Sequence, residues 1–159
     1  AFSSMGGVGT TLALSVMMLL LSKSAQLKAI GKAVFIPSIF NINEPLVFGA
    51  PIAFNPYLMI PMWINALIVP TISYVVMNMG FVNIPSQSFL LWYMPYPFTS
   101  YLATQDFRAV IVCLLIFVIT WFIFLPFFKA YDSSLLKQEK IAEEQEAAQA
   151  KAMQASTAQ

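Results

Sequence analysis

Glu44 is the one carboxylate or basic side chain between two distant charges. From Ala33 to Gln105 the chain has no other Asp, Glu, Lys, Arg or His. A segment of that kind cannot clothe itself for water, so it has to fold in an apolar medium. In such a medium a charge costs roughly 2.5–3.5 kcal/mol on insertion scales. An isolated carboxylate there takes up a proton or finds hydrogen-bond donors. Glu44 therefore demands a polar reason, and the chain around it is read as what supplies one.

Only 9% of the 159 residues are charged, against 59% hydrophobic. Soluble domains carry about 25% charge, so the chain reads as a membrane protein. The net charge of +1 supplies no basic patch for a nucleic acid. Cys113 is the single cysteine and histidine is absent, which excludes an internal disulfide and the commonest general base. No cofactor and no metal site are expected. The chain begins at Ala1 without a basic leader, and is expected to be a piece of a longer protein.

Taken in order, the small-residue entry holds Gly6, Gly7 and Gly9, suited to close backbone packing. Residues 8–21 then form an apolar run just long enough to span. Lys23, Lys28 and Lys32 are expected in one short loop, cytoplasmic by the positive-inside rule. Residues 33–52 are apolar but interrupted by Pro37, Asn41, Asn43, Glu44, Pro45, Gly49 and Pro51. The proline at 45 predicts a helix stop near Asn43, with Glu44 as N-cap of a restart. Two half-helices with a polar tip make a re-entrant hairpin, tolerated at membrane depth only where buried in protein or lining a cavity.

Residues 57–79 read as a full span, kinked at Pro61 and Pro70. Residues 88–104, broken by Pro95 and Pro97, read as a second re-entrant hairpin entering from outside. Residues 107–128 are the clearest transmembrane helix, with Lys129 at its inner end and Arg108 outside. Residues 1–132 are thus expected to be the membrane part and 133–159 a polar cytoplasmic tail. The expected fold is all-α and membrane-embedded: about three spanning helices, two opposed re-entrant hairpins and that tail.

Asn41 and Asn43 flank Glu44 with amide donors and acceptors, a trio that suits a neutral, hydroxyl-rich ligand better than an ion. Trp92 and Tyr96 lie at the second break among Ser and Thr hydroxyls, as a stacked sugar ring requires. An aromatic belt at the outer interface explains the same residues equally well. Two rival readings stand beside a sugar site. One is a proton-coupled secondary transporter with Glu44 as proton carrier, the other a structural membrane subunit.

Asn41-Ile42-Asn43-Glu44-Pro45 followed by Phe48-Gly49 resembles the signature of the membrane (IIC) component of the bacterial phosphotransferase system, lactose/cellobiose/diacetylchitobiose class. Gly6-Gly7-Val8-Gly9-Thr10-Thr11-Leu12, Ser22-Lys23-Ser24 and Pro126-Phe127-Phe128-Lys129 with Tyr131-Asp132 resemble its flanking stretches. The resemblance implies a permease that carries a β-linked disaccharide to the cytoplasmic face. A soluble IIB partner, phosphorylated on its own cysteine, then phosphorylates the sugar. It further implies that Glu44 contacts the sugar beside the hydroxyl to be phosphorylated, that Trp92 is the sugar-contacting tryptophan with Tyr96 sharing its role, and that no catalytic residue lies in this chain. The family's proline before that tryptophan is absent here, and its partner histidine upstream of the glutamate is missing as well. Both the histidine and the dimer contact are expected in an N-terminal part, so the chain resembles the C-terminal part of a IIC, homodimeric when full length.

Overall fold

The computed structural model describes residues 7, 9–50, 52–85 and 94–157. Six α-helices are described: α1 (Leu12–Leu20), α2 (Ala25–Ile39), α3 (Glu44–Gly49), α4 (Pro56–Asn78), α5 (Tyr96–Thr104) and α6 (Arg108–Thr157). A 3-10 turn, Ile52–Phe54, links α3 to α4, and the described residues contain no strand.

α1 cannot extend back through the small-residue entry. Gly7 (φ +91°), Gly9 (φ +80°) and Thr10 (φ +52°) have left-handed backbone that ends a right-handed helix. Nine helical residues rise only about 14 Å, against a hydrocarbon core of about 30 Å. The span expected over 8–21 is therefore represented by a helix of about half the required length. α1 packs instead against α2, and Gly31 brings the two backbones together. A Cβ at Gly31 would lie 2.6 Å from the Leu19 nitrogen and the Met18 carbonyl carbon.

The expected lysine loop is corrected here. Only Lys23 lies in the connection; Lys28 and Lys32 ride on α2, which starts at Ala25 and runs through Pro37. The early start has a local cause in Ser24, whose extended backbone (ψ 131°) and side chain cap the helix, accepting from Leu27 N at 3.3 Å.

That cap is completed from the far end of the chain. Glu139 of α6 accepts from Ser24 Oγ (2.7 Å), Gln26 N (3.0 Å) and Ala25 N (3.2 Å). The first three N–H groups of α2, which have no partner within the helix, are all satisfied in this way. About two turns earlier on α6, Asp132 accepts from Ser22 Oγ at 2.7 Å and from Lys23 N and Ser24 N at 3.0 Å. Asp132 is buried, so these donors are what make its charge tolerable there.

α4 and α6 are the two described helices long and apolar enough to cross a membrane. α4 opens with Asn55 accepting from Tyr57 N and Pro56 at its first position. It passes unbroken through Pro61 and Pro70. α6 continues without interruption from the apolar stretch into the polar residues beyond Asp132. Two cores pack between these elements. One joins Leu14, Met17 and Met18 of α1, Leu27 and Val34 of α2, Leu46, Leu58, and Phe124 and Phe128 of α6. The other joins Val69, Val82, Tyr96, Ala109, Val112, Cys113 and Ile116.

Two outcomes test the carboxylate pair. Asp132→Ala is expected to destabilise the protein by about 3 kcal/mol, since buried donors lose a charged acceptor; thermal unfolding in detergent measures it. The Gln26 N–H, with Ser24 Oγ, holds the Glu139 carboxyl below its ordinary value of 4.5. Its stabilisation is therefore present above about pH 4.5 and is lost as pH falls through the depressed folded value. The stability gap between wild type and Glu139→Gln is expected to be constant at neutral pH and to shrink below pH 4.5. A gap unaffected by acid would remove the charged cap.

Candidate functional site

The break ahead of Glu44 is a helix stop of defined geometry. α2 ends at Ile39, Phe40 is its C-cap, and Asn41 adopts a left-handed conformation (φ +62°). Ile42 N donates to Pro37 O at 3.0 Å and Asn41 N to Ser38 O at 3.2 Å, the paired bonds of a Schellman stop. Asparagine is the usual alternative to glycine there. The chain restarts at once: Leu46 N and Val47 N donate to Asn43 O at 3.0 and 2.9 Å. Asn43 is thus the N-cap, not Glu44 as expected; Glu44 is the first helical residue, ahead of Pro45. The shift follows from proline itself, which occupies the second helical position and leaves its predecessor inside the first turn. Glu44 remains at the positive end of the helix dipole.

Three stretches distant in sequence meet at this break. Asn43, buried, donates through Nδ2 to Thr11 Oγ1 at 3.3 Å. A methyl group at Gly7 would overlap the Asn43 side chain, so glycine is needed there for space as well as for its positive φ. Asn41 Nδ2 donates to Met94 O at 3.0 Å, and the same carbonyl accepts from Thr99 Oγ1 at 3.0 Å. The start of α5 is thereby tied to the stop of α2, which brings the two proline-broken segments together at one point.

The predicted site residues divide between settings. Glu44 is exposed on α3, while Asn43 behind it is buried and Asn41 half-buried. Tyr96 is 2% exposed, its ring inside the second core and its hydroxyl without a partner among the described residues. Trp92 lies outside the described residues, as does the first part of the expected second hairpin. Sequence reasoning missed Thr11 and the Met94 carbonyl. Thr11 looked like one more small residue of the entry, and a backbone acceptor carries no side-chain signal. Among the described residues no group of three His, Cys, Asp or Glu could hold a metal.

Asn41 has two separable duties, and substitution distinguishes them. Asn41→Gly keeps the left-handed stop and loses the bond to Met94, an expected cost of about 1 kcal/mol. Asn41→Ala also strains the backbone, for about 2 kcal/mol in total. Equal losses for the two variants in denaturant unfolding would contradict the left-handed stop.

Comparison with known proteins places this geometry. The family described as "Phosphotransferase system, EIIC" matches residues 2–66. The lichenan permease IIC component of Bacillus subtilis is 39% identical over 137 residues, covering 86% of this chain and 30% of the relative. The cellobiose-specific EIIC component of Geobacillus stearothermophilus is 39% identical over 141 residues, covering 88% and 30%. The lactose-specific EIICB component of Lacticaseibacillus casei is 39% identical, covering 87% and 24%. The crystal structure of the transporter ChbC, the IIC component of the N,N'-diacetylchitobiose-specific system, superposes with a TM-score of 0.83 at 41% identity, over 86% of this chain and 32% of that one. The chain spans about a third or less of the length of these relatives. The family match, the identities and the shared fold make this chain similar to EIIC components of the phosphotransferase system.

Proposed function

We propose that this chain is the C-terminal, sugar-handling part of a permease that takes up a β-linked disaccharide for phosphorylation by a IIB partner. The observation that carries the reading is the 41% identity and 0.83 TM-score to ChbC. The relatives' specificities, cellobiose, lichenan and lactose among them, point to the same substrate class. In this reading α1 with the entry before it, α4 and α6 cross the bilayer, and the breaks at Asn41 and Pro95 are the tips of two opposed re-entrant hairpins. Broken helices of that kind form the binding sites of many transporters. The C-terminus lies in the cytoplasm, where IIB approaches, and the full-length protein is a homodimer whose N-terminal part supplies the histidine absent here. Residues 1–132 form the membrane part and 133–159 the cytoplasmic part.

Within the proposed site Glu44 hydrogen-bonds a sugar hydroxyl, Asn41 and Asn43 hold the tip, and Trp92 supplies aromatic contact; Tyr96, buried in the second core, does not reach the sugar. In the full-length protein, Glu44→Gln is expected to leave folding intact and to lower disaccharide uptake at least tenfold, since an acceptor for a buried hydroxyl is weakened. Accumulated sugar is expected to be recovered phosphorylated, and uptake to survive an uncoupler. Unphosphorylated sugar, or uptake abolished by the uncoupler, would instead identify proton coupling.

A further inference from the structure

We propose that the hollow between the α1–α2 connection and α6 binds an anionic phospholipid of the membrane leaflet at that end. The proposal rests on membrane embedding and not on the sugar reading. The hollow has a volume of about 460 Å³, with Leu21, Phe128 and Leu136 on its apolar side and Lys23 and Lys129 at its polar side. Of these Phe128 is buried, whereas Leu21 is 44% exposed.

Its depth fits a headgroup. The apolar stretch of α6 ends at Phe128, and Lys129 is the first charge after Arg108 on that helix. A residue at that boundary sits where hydrocarbon gives way to phosphates. Two lysines face one carboxylate in the lining, Asp132. That carboxylate is already committed to Ser22 Oγ and the Lys23 and Ser24 amides. The ammonium groups of Lys23 and Lys129, both exposed, remain for a phosphodiester. Acyl methylenes then cover Leu21 and Leu136. Basic pockets at the end of membrane helices take anionic headgroups by this combination, and a zwitterionic lipid gains less from it.

The lipid also has a structural consequence. It closes over the junction that Asp132 holds, so it adds to the attachment of the α1–α2 connection to α6.

Native mass spectrometry of the full-length protein in detergent, with added phosphatidylglycerol or phosphatidylcholine of matched chains, tests this. Phosphatidylglycerol is expected to be retained in preference to phosphatidylcholine. Lys23→Gln and Lys129→Gln are each expected to weaken it about fivefold, and the pair more than twentyfold. The double Lys→Arg variant should bind as wild type does. Both lysines are exposed, so in lipid-free detergent the Gln pair should keep the wild-type melting temperature, and a loss of lipid is then not a loss of fold. Retention undiminished in the Gln pair, or equal retention of the two lipids, overturns the proposal. So does displacement by inorganic phosphate, which would mean a simple anion site. A photo-crosslinker at Leu136 that captures a protein segment and not lipid overturns it as well.

Discussion

The start of α2 is held by carboxylates more than a hundred residues away, and the packing of this end of the molecule depends on them. A helix start carries unpaired N–H groups and a partial positive charge. Local sequence supplies only Ser24 to meet them. Asp132 and Glu139, seven residues apart on α6 and so on one face of it, provide the rest. This fixes the connection between α1 and α2 to the point where α6 leaves the apolar region. It also explains why α6 continues as one helix past that point. If the helix ended at Lys129, neither carboxylate would be presented at the right height.

The second constraint is the stop and restart at Asn41–Pro45. A helix broken in an apolar medium leaves carbonyls and amides that water cannot satisfy. Here the Schellman bonds close α2, the Asn43 carbonyl opens α3, and the two asparagine amides reach Thr11 and Met94. The two asparagine side chains thus join the break to other irregular segments. The close fit at Gly7 shows how little room is left behind the tip. A rigid back and an exposed first turn are what a binding tip needs, because ordering costs are met by folding and not by the ligand.

Much of this could be read in the sequence, for physical reasons that differ by element. The long apolar runs of α4 and α6 carry a strong signal, and the proline at 45 announces a helix start through its missing N–H and fixed φ. The break at Asn41–Pro45 was legible because a lone acid and two amides stand out in apolar surroundings. The lysine segment was misread as loop, since lysine spacing reports sidedness and says nothing of conformation; Ser24 was the overlooked cue. The short length of α1 was not legible because hydropathy does not see the positive φ of Gly7, Gly9 and Thr10. The roles of Asp132 and Glu139 were invisible, as both pairings join residues over a hundred positions apart.

Glu44 raises the question of what its exposed face meets. Position in the first turn of α3 offsets roughly 0.3–1 kcal/mol of a carboxylate's cost, less than the roughly 2.5–3.5 kcal/mol of placing it in hydrocarbon. The dipole alone therefore cannot reconcile the side chain with lipid. Asn43 and Asn41, the nearest amides, donate elsewhere, to Thr11 and Met94. Phe48 stands one turn further on the same face and is 79% exposed. An acid and an aromatic ring one turn apart, on a tip whose back is rigid, make a poor lipid surface. They make a good surface for a ring with polar edges and an apolar face. In the proposed reading a disaccharide supplies the polar neighbour that Glu44 demands.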